Sequence, residues 1–429
     1  MEGALSRAAS GSGDEAGWSY WRTVQRQGFS AVVLTVVVAS LPGFLVGTLA
    51  VEVRHSLHFG ATALGLSIAV FNLGAAVSSV PVGRLVERVG GIRVMRLAMV
   101  VAAVLFGLVG LASSWAVLTL LLLATGMLSG GMNPAANLFL ARAATPERHG
   151  LIFGIKQAAV PLASLLGGIA VPAIALTVGW RWAFGLAAVL AVLTAATLPV
   201  ARREPVRPAG QSVSRPSVQV VTAPLVILTL GLCLGVIASS GCLAFLVSAA
   251  TKLGIANGTA GLVAAAAAGA ATAVRVGVGA AADRREGGHF QVVAAMVGIG
   301  VLGYLALAAG TAGHSYLLFV AGAVVGLGVG WGWNGLFTFA IVRSHPAAPA
   351  AATGVTQVGG RVGGMLGPAT IGVIAGHASY TLAWLVAGGT GVLAALTMVV
   401  GYRMLARAPA LGRGALADLE AQVLPIVRP

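Results

Sequence analysis

Residues Gly83 to Arg93 read GRLVERVGGIR and break two long apolar runs with a compact charged turn. A weaker copy stands in the second half, where Gly279, Asp283 and Arg284 keep the spacing of Gly83, Glu87 and Arg88. The register also holds upstream: LHFGATALG from Leu57 to Gly65 answers LGIANGTAG from Leu253 to Gly261. Two charged turns in register, each set between apolar runs, imply a chain of two homologous halves.

The composition says where those halves reside. Of 429 residues, 58% are hydrophobic and 9% charged. A soluble fold cannot hide that much apolar surface, because its exterior needs charge. A bilayer core roughly 30 Å thick can, at about 20 apolar residues per spanning helix. Twelve segments qualify. In the first half they fall near 29–51, 60–82, 94–113, 115–140, 150–177 and 181–200. In the second they fall near 221–250, 257–281, 290–310, 315–342, 350–376 and 379–404.

A net charge of +15 would suggest nucleic acid in a soluble protein. The placement of the 26 Lys and Arg gives a better account. Most lie in the tails and in loops after even-numbered spans, as do Arg84, Arg88, Arg93, Arg96, Arg142, Arg202, Arg203, Arg207, Arg284 and Arg285. Arg54, Arg181 and Lys252 fall on the other side. Positive charge retained inside then puts both termini in the cytoplasm of a multi-pass protein of the cell membrane, with lipid and not nucleic acid as its surroundings.

The expected organisation is a short disordered cytoplasmic tail (1–27), a six-helix bundle (28–200), a cytoplasmic linker (201–220), a second six-helix bundle (221–405) and a cytoplasmic tail (406–429). The linker reading rests on ARREPVRPAGQSVSRPSVQ, Ala201 to Gln219, rich in Pro and Arg. Cys233 and Cys242, nine residues apart on one helix, are too far apart to bridge. A second register links the later spans. Gly126 and Gly130 match Gly326 and Gly330, while Gly154, Gln157 and Gly167 match Gly354, Gln357 and Gly367. The paired glutamines carry most of that argument, since glycine matches are common among 61 glycines.

On these motifs the chain resembles the major facilitator superfamily over nearly its whole length. The first turn fits that family's loop signature, with Glu87 where Asp is usual and Gly91–Ile92 where a basic pair often follows. The resemblance implies an all-α membrane fold of twelve helices in two pseudo-symmetric bundles, with alternating access to a central cavity. It also implies a conformational latch carried by Gly83, Glu87, Arg88, Gly90 and Arg93, echoed by Gly279, Asp283 and Arg284. Physics agrees, because Glu87 can meet a helix N-terminus of the other bundle. The richer first copy predicts that the N-terminal bundle makes the stronger contact. The drug-antiporter pattern of Gly-Pro followed closely by Gly-Gly is not matched: Pro161 precedes Gly167–Gly168 by a longer gap. The run GIKQAAVPLASLLGG is instead similar to a little-characterised bacterial branch of the superfamily.

Three cations lie inside apolar spans: Lys156, Arg275 and Arg361. A charge at such depth is costly against lipid, so each should face the bundle interior or water, or snorkel to the interface. An interior placement makes an anion site, with Arg361 gripping a carboxylate or phosphate in a bidentate manner and Lys156 adding a point charge. Asn133, Gln157, Asn334 and Gln357 can hydrogen-bond a ligand or tie helices together, as can Asn72 and Asn137. Trp331 and Trp333, mid-span in GVGWGWNG, can wall a cavity or simply pack, whereas Trp115, Trp180 and Trp384 sit where interfacial anchors collect. Glu52 reads as an interfacial residue beside Arg54, and it is the one acid near a span outside the tails and charged loops.

No metal motif, phosphate cradle or cofactor signature stands out, and the spans lack the acids and histidines of a membrane-embedded enzyme. The expectation is a monomeric secondary transporter of a small organic anion, possible coupling to protons resting on Glu52, Lys156 or the substrate. The alternative is an exporter of hydrophobic or cationic compounds.

Overall fold

In a computed structural model of the chain, the described residues are 11–143, 149–199, 222–285, 287–346 and 348–407. Among them there is no strand, and twelve helices are long and apolar enough to cross a membrane. They are α1 (Gly11–Thr48), α2 (Ala61–Val89), α3 (Gly91–Gly110), α4 (Trp115–Ala143), α5 (His149–Ala170) and α6 (Trp180–Thr197). In the second half follow α7 (Ala223–Lys252), α8 (Asn257–Asp283), α9 (His289–Ala312), α10 (Tyr316–Ser344), α11 (Pro349–His377) and α12 (Tyr380–Arg407). The linker and the distal C-terminal tail lie outside the described residues.

Three sequence expectations change. Residues 11–27 are helical and continue into α1, because the stretch from Asp14 to Gln27 holds no proline and mostly tolerable helix formers. The GRLVERV half of the charged turn is likewise helical. It forms the last turns of α2, and the chain reverses only at Gly90, whose φ of 101° suits glycine. Trp180 and Trp384 are buried in the helix packing, where Trp384 donates from Nε1 to Thr311 Oγ1 at 3.1 Å. Neither is an interfacial anchor. Trp115 instead ties α4 to α2, donating to Ser67 Oγ at 2.8 Å.

The halves meet along two seams, α5 against α8 and α2 against α11. Register-matched glycines allow a like-for-like comparison. On the face opposite the charged turns, a methyl added to Gly168 of α5 would stand 2.6 Å from the Gly261 carbonyl oxygen. One added to Gly65 of α2 would stand 3.1 Å from Gly372 Cα and collide with the Pro368 carbonyl. Both seams are therefore closed there. Between them Gly47 of α1 packs on Ala244 of α7, a Cβ there lying 3.3 Å from the Ala244 backbone.

On the basic face the symmetry breaks. A methyl on Gly154 would meet the Arg275 carbonyl oxygen at 2.7 Å and Gly279 Cα at 3.3 Å, so α5 and α8 stay in contact. Its counterpart Gly354 has nothing within 4 Å, and Val80 of α2 and Val358 of α11 are exposed. The α2–α11 seam is open on this flank.

Candidate functional site

A cavity of about 220 Å³ lies between the halves, walled by α1, α2, α4 and α5 on one side and α7, α8, α10 and α11 on the other. Helix α1 supplies Ser40, Gly43, Phe44 and Gly47, at the i, i+3, i+4, i+7 spacing that puts them on one face. The sequence reading missed this stripe and its partner, Val236, Ser240, Leu243 and Ala244 of α7. The available signal was the run of small and polar residues at helical spacing in otherwise apolar helices.

Of the predicted site residues, Gln157, Gln357, Asn133, Trp331, Asn334, Arg275 and Arg361 all line the cavity, together with Asn72. The register-matched Gln157 and Gln357 thus face it from opposite halves. Asn137 lies where side chains are not described. Trp333 does not line the cavity. It is fully buried against Gly235 and Phe337, and its Nε1 donates to the Gly330 carbonyl at 2.8 Å. One residue of helix turns a side chain by about 100°, so neighbours two apart cannot share a wall.

The three cations play different parts. Arg275 donates to the Gln157 carbonyl at 2.6 Å and to the Trp331 carbonyl at 2.9 Å, and its guanidinium lies 4.7 Å from the Trp331 ring centroid. It staples α8 to both α5 and α10. The Gln157 carbonyl is available because Pro161, four residues on in α5, has no N–H to give it, and the Trp331 carbonyl because α10 departs from regular helix there, through a π-helical stretch Val324–Val329 and a break at Trp333. Lys156 is buried just behind the wall. Its ammonium donates to Asn133 Oδ1 at 2.7 Å and to Gln157 Oε1 at 3.3 Å, both neutral partners that themselves line the cavity. Arg275 and Arg361 both lie within electrostatic reach of it.

Arg361 differs from both. It lines the cavity half-buried, and no hydrogen-bond acceptor meets its guanidinium among the described residues. Neighbouring walls offer Phe44 and Trp331, their ring centroids 6.0 Å apart, and the amides of Asn72, Asn334 and Gln357. One unoccupied guanidinium, an apolar platform and several neutral amides can hold one anionic group and several hydroxyls.

The latch residues also divide. Asp283, at the end of α8, accepts from the backbone N–H of Leu151 in the first turn of α5 at 2.9 Å. A carboxylate at a helix N-terminus meets otherwise unpaired N–H groups and the positive end of the helix dipole. Glu87 is exposed and makes no such bond among the described residues. The expected asymmetry is reversed: in this structure the contact belongs to the C-terminal half, because the α5–α8 seam is closed where α2–α11 is open. Arg84, Arg88, Arg93 and Arg284 are exposed on the same face. Gly279 is buried against Gly154.

Comparison with known proteins adds family and fold. A solved structure of a variant of the nucleoside transporter NupG superposes with a TM-score of 0.67 at 14% identity, covering 88% of this chain and all of that one. A hexuronate transporter of Bacillus subtilis is 25% identical over 33% of this chain and 34% of its own length. An MFS-type efflux pump of Mycolicibacterium smegmatis is 29% identical over 43% of this chain and 45% of its own. The matched regions span less than half the length of these curated relatives. The sequence model of the Major Facilitator Superfamily matches residues 32–312, more than half of the chain. With twelve spanning helices in two related halves around one cavity, the chain belongs to the Major Facilitator Superfamily.

Proposed function

We propose that the protein is a secondary transporter that carries a small organic anion across the cell membrane by alternating access, with Arg361 as the anion grip. The observation that carries the reading is the division among the three deep cations. Arg275 and Lys156 already have acceptors, whereas Arg361 faces the cavity with none among the described residues. Desolvating a guanidinium is costly, and an incoming carboxylate offsets that cost in the bound state. The amides and the Phe44–Trp331 platform suit a hydroxylated carboxylate, and a relative bears the name of a hexuronate transporter. The charged turns and exposed arginines favour a cytoplasmic basic face, with the chain working as a monomer.

The test is Arg361→Gln in purified protein. Thermal stabilisation by a panel of carboxylates, phosphates, amines and sugars should pick out carboxylates for the wild type. The variant should lose about 2 kcal/mol of that binding, roughly thirtyfold in Kd, while still inserting. Unchanged carboxylate binding and uptake in the variant would remove the anion site. A second reading, export of hydrophobic or cationic compounds, is favoured by the aromatic pair and the similarity to an efflux pump. A growth-inhibition panel in overproducing cells separates the two.

A further inference from the structure

Glu52 was expected at the membrane interface beside Arg54. It points elsewhere. It sits on a short helix, Ala50–Leu57, that follows α1 in the first half, and its Oε1 accepts from Nδ2 of Asn257, the first residue of α8 in the second half. The bond thus crosses between the halves on the face opposite the basic turns, where both seams are closed.

The other two atoms of this pair are more informative. Glu52 Oε2 and Asn257 Oδ1 are both buried and both lack a hydrogen-bond partner among the described residues. Each is an acceptor when the carboxyl is ionised, so neither can satisfy the other. One added proton removes the conflict. A protonated Oε2 becomes a donor, and the matching acceptor is already present on the same amide. The carboxylic acid and the amide then pair through two hydrogen bonds, and no buried acceptor is left orphaned.

No cation competes for the carboxylate. Arg54 turns its Nε to the Phe59 carbonyl and lies with Tyr380, and Lys252 of α7 lies 5.7 Å from the Tyr380 ring centroid. Arg181 of α6 donates to Ser56 and stacks on Trp180, and His55 and His58 are exposed. Burial raises the carboxyl above its ordinary value, outweighing the hydrogen bonds from its own backbone and from Asn257.

We infer that Glu52 and Asn257 form a proton-binding latch between the two halves, closed when Glu52 is protonated and released when it ionises. This gives the transport cycle a proton site outside the substrate cavity. The inference rests on the family's alternating access and not on the anion reading, so either can fail alone. The sign is fixed by linkage. Opening this face exposes Glu52 to water and returns it towards the ordinary glutamate value, so the closed form binds the proton more tightly. Closure is therefore favoured fully below the ordinary value and lost as pH rises through the raised one. Each unit of difference is worth a tenfold change in population.

Spin labels at Val178→Cys and Leu317→Cys, exposed positions on this face in opposite halves, report the separation in a background of Cys233→Ser and Cys242→Ser. Distance distributions are collected in lipid nanodiscs from about pH 5 to about pH 8. The short-distance population should grow several-fold as pH falls. Glu52→Gln, whose amide supplies the donor permanently, should hold it at the low-pH level throughout. Asn257→Ala should hold the long distance at every pH. The proposal is overturned if the unsubstituted latch shows no pH dependence, or if Glu52→Gln keeps the same pH dependence. It is also overturned if Asn257→Ala, eluting as folded protein, keeps the parent's distances.

Discussion

At the scale of single residues, the cations separate into one that faces the cavity without an acceptor among the described residues and two that build. Arg275 holds two backbone carbonyls and an aromatic face, so Arg275→Lys loses the forked geometry and part of the stacking. The expected cost is about 2 kcal/mol of stability, seen as a lower melting temperature of the purified protein. Arg361→Lys should leave the melting temperature within error and weaken carboxylate binding about tenfold, because a point charge replaces a bidentate grip. Equal stability losses in the two variants would erase the distinction. The sequence marks all three as deep cations, but it cannot tell them apart. The acceptors that occupy Arg275 are the Gln157 and Trp331 main chain; Pro161, four residues after Gln157, marks that carbonyl as free, but nothing in the sequence says which cation takes it. Trp333 was misread for a different reason: helical spacing already sets it about 200° from Trp331, so the two could not both wall the cavity.

At the scale of helices, glycine register was the most legible feature. The match of Gly167 with Gly367 holds in detail: the first lies against α1 at Thr48, and the second against α7 at Ser240. That of Gly126 and Gly130 with Gly326 and Gly330 does not. The first pair lets α4 approach α2, whereas the second lies against Gly303, Tyr304 and Gly300 of α9. Gly322, ahead of the π-helical stretch, already lies against α9 at Gly303 and Leu307, and the α10 glycines that meet α8 are Gly328 and Gly332, two residues on from the matched pair. Gly154 and Gly354 supply the element-scale prediction. Gly154→Leu would force α5 off α8 and should destabilise the protein by about 3 kcal/mol or more. Gly354→Leu meets open space here and removes glycine's helix penalty of about 0.5–1 kcal/mol, so the melting temperature should hold or rise. Transport should nonetheless fall steeply, because the proposed alternating access has α11 close on α2 in the opposite state. Normal uptake by Gly354→Leu would show that this seam stays open throughout the cycle.

At the scale of the whole molecule, the two halves hold each other through unlike contacts at the two faces. One face is closed at both seams and at Glu52–Asn257, and the other is tied by Asp283 alone among the matched turn acids. Under the proposed alternating access, pseudo-symmetry then describes the opposite state. When the closed face opens, α2 should pack along α11 as α8 now packs along α5, and Glu87 should cap the start of α11 as Asp283 caps α5. On the proposed latch reading, the rich first copy of the charged turn would be the half that is disengaged here. The sequence contains both copies but not which one is engaged, because that depends on which seam is closed. Paired cysteines at Val80 and Val358, on either side of the open seam, should report its closure through a short bifunctional maleimide in the Cys233→Ser, Cys242→Ser background. Adding Gly168→Leu places a side chain where the Gly261 carbonyl would lie 2.6 Å from its Cβ, which disfavours the state seen here. Cross-linking between positions 80 and 358 should then rise several-fold, and further replacing Glu87 with Gln should reduce that gain by weakening the cap on α11. A yield unmoved by Gly168→Leu, in protein that still elutes as folded as the parent, would mean that the two faces are not mechanically coupled.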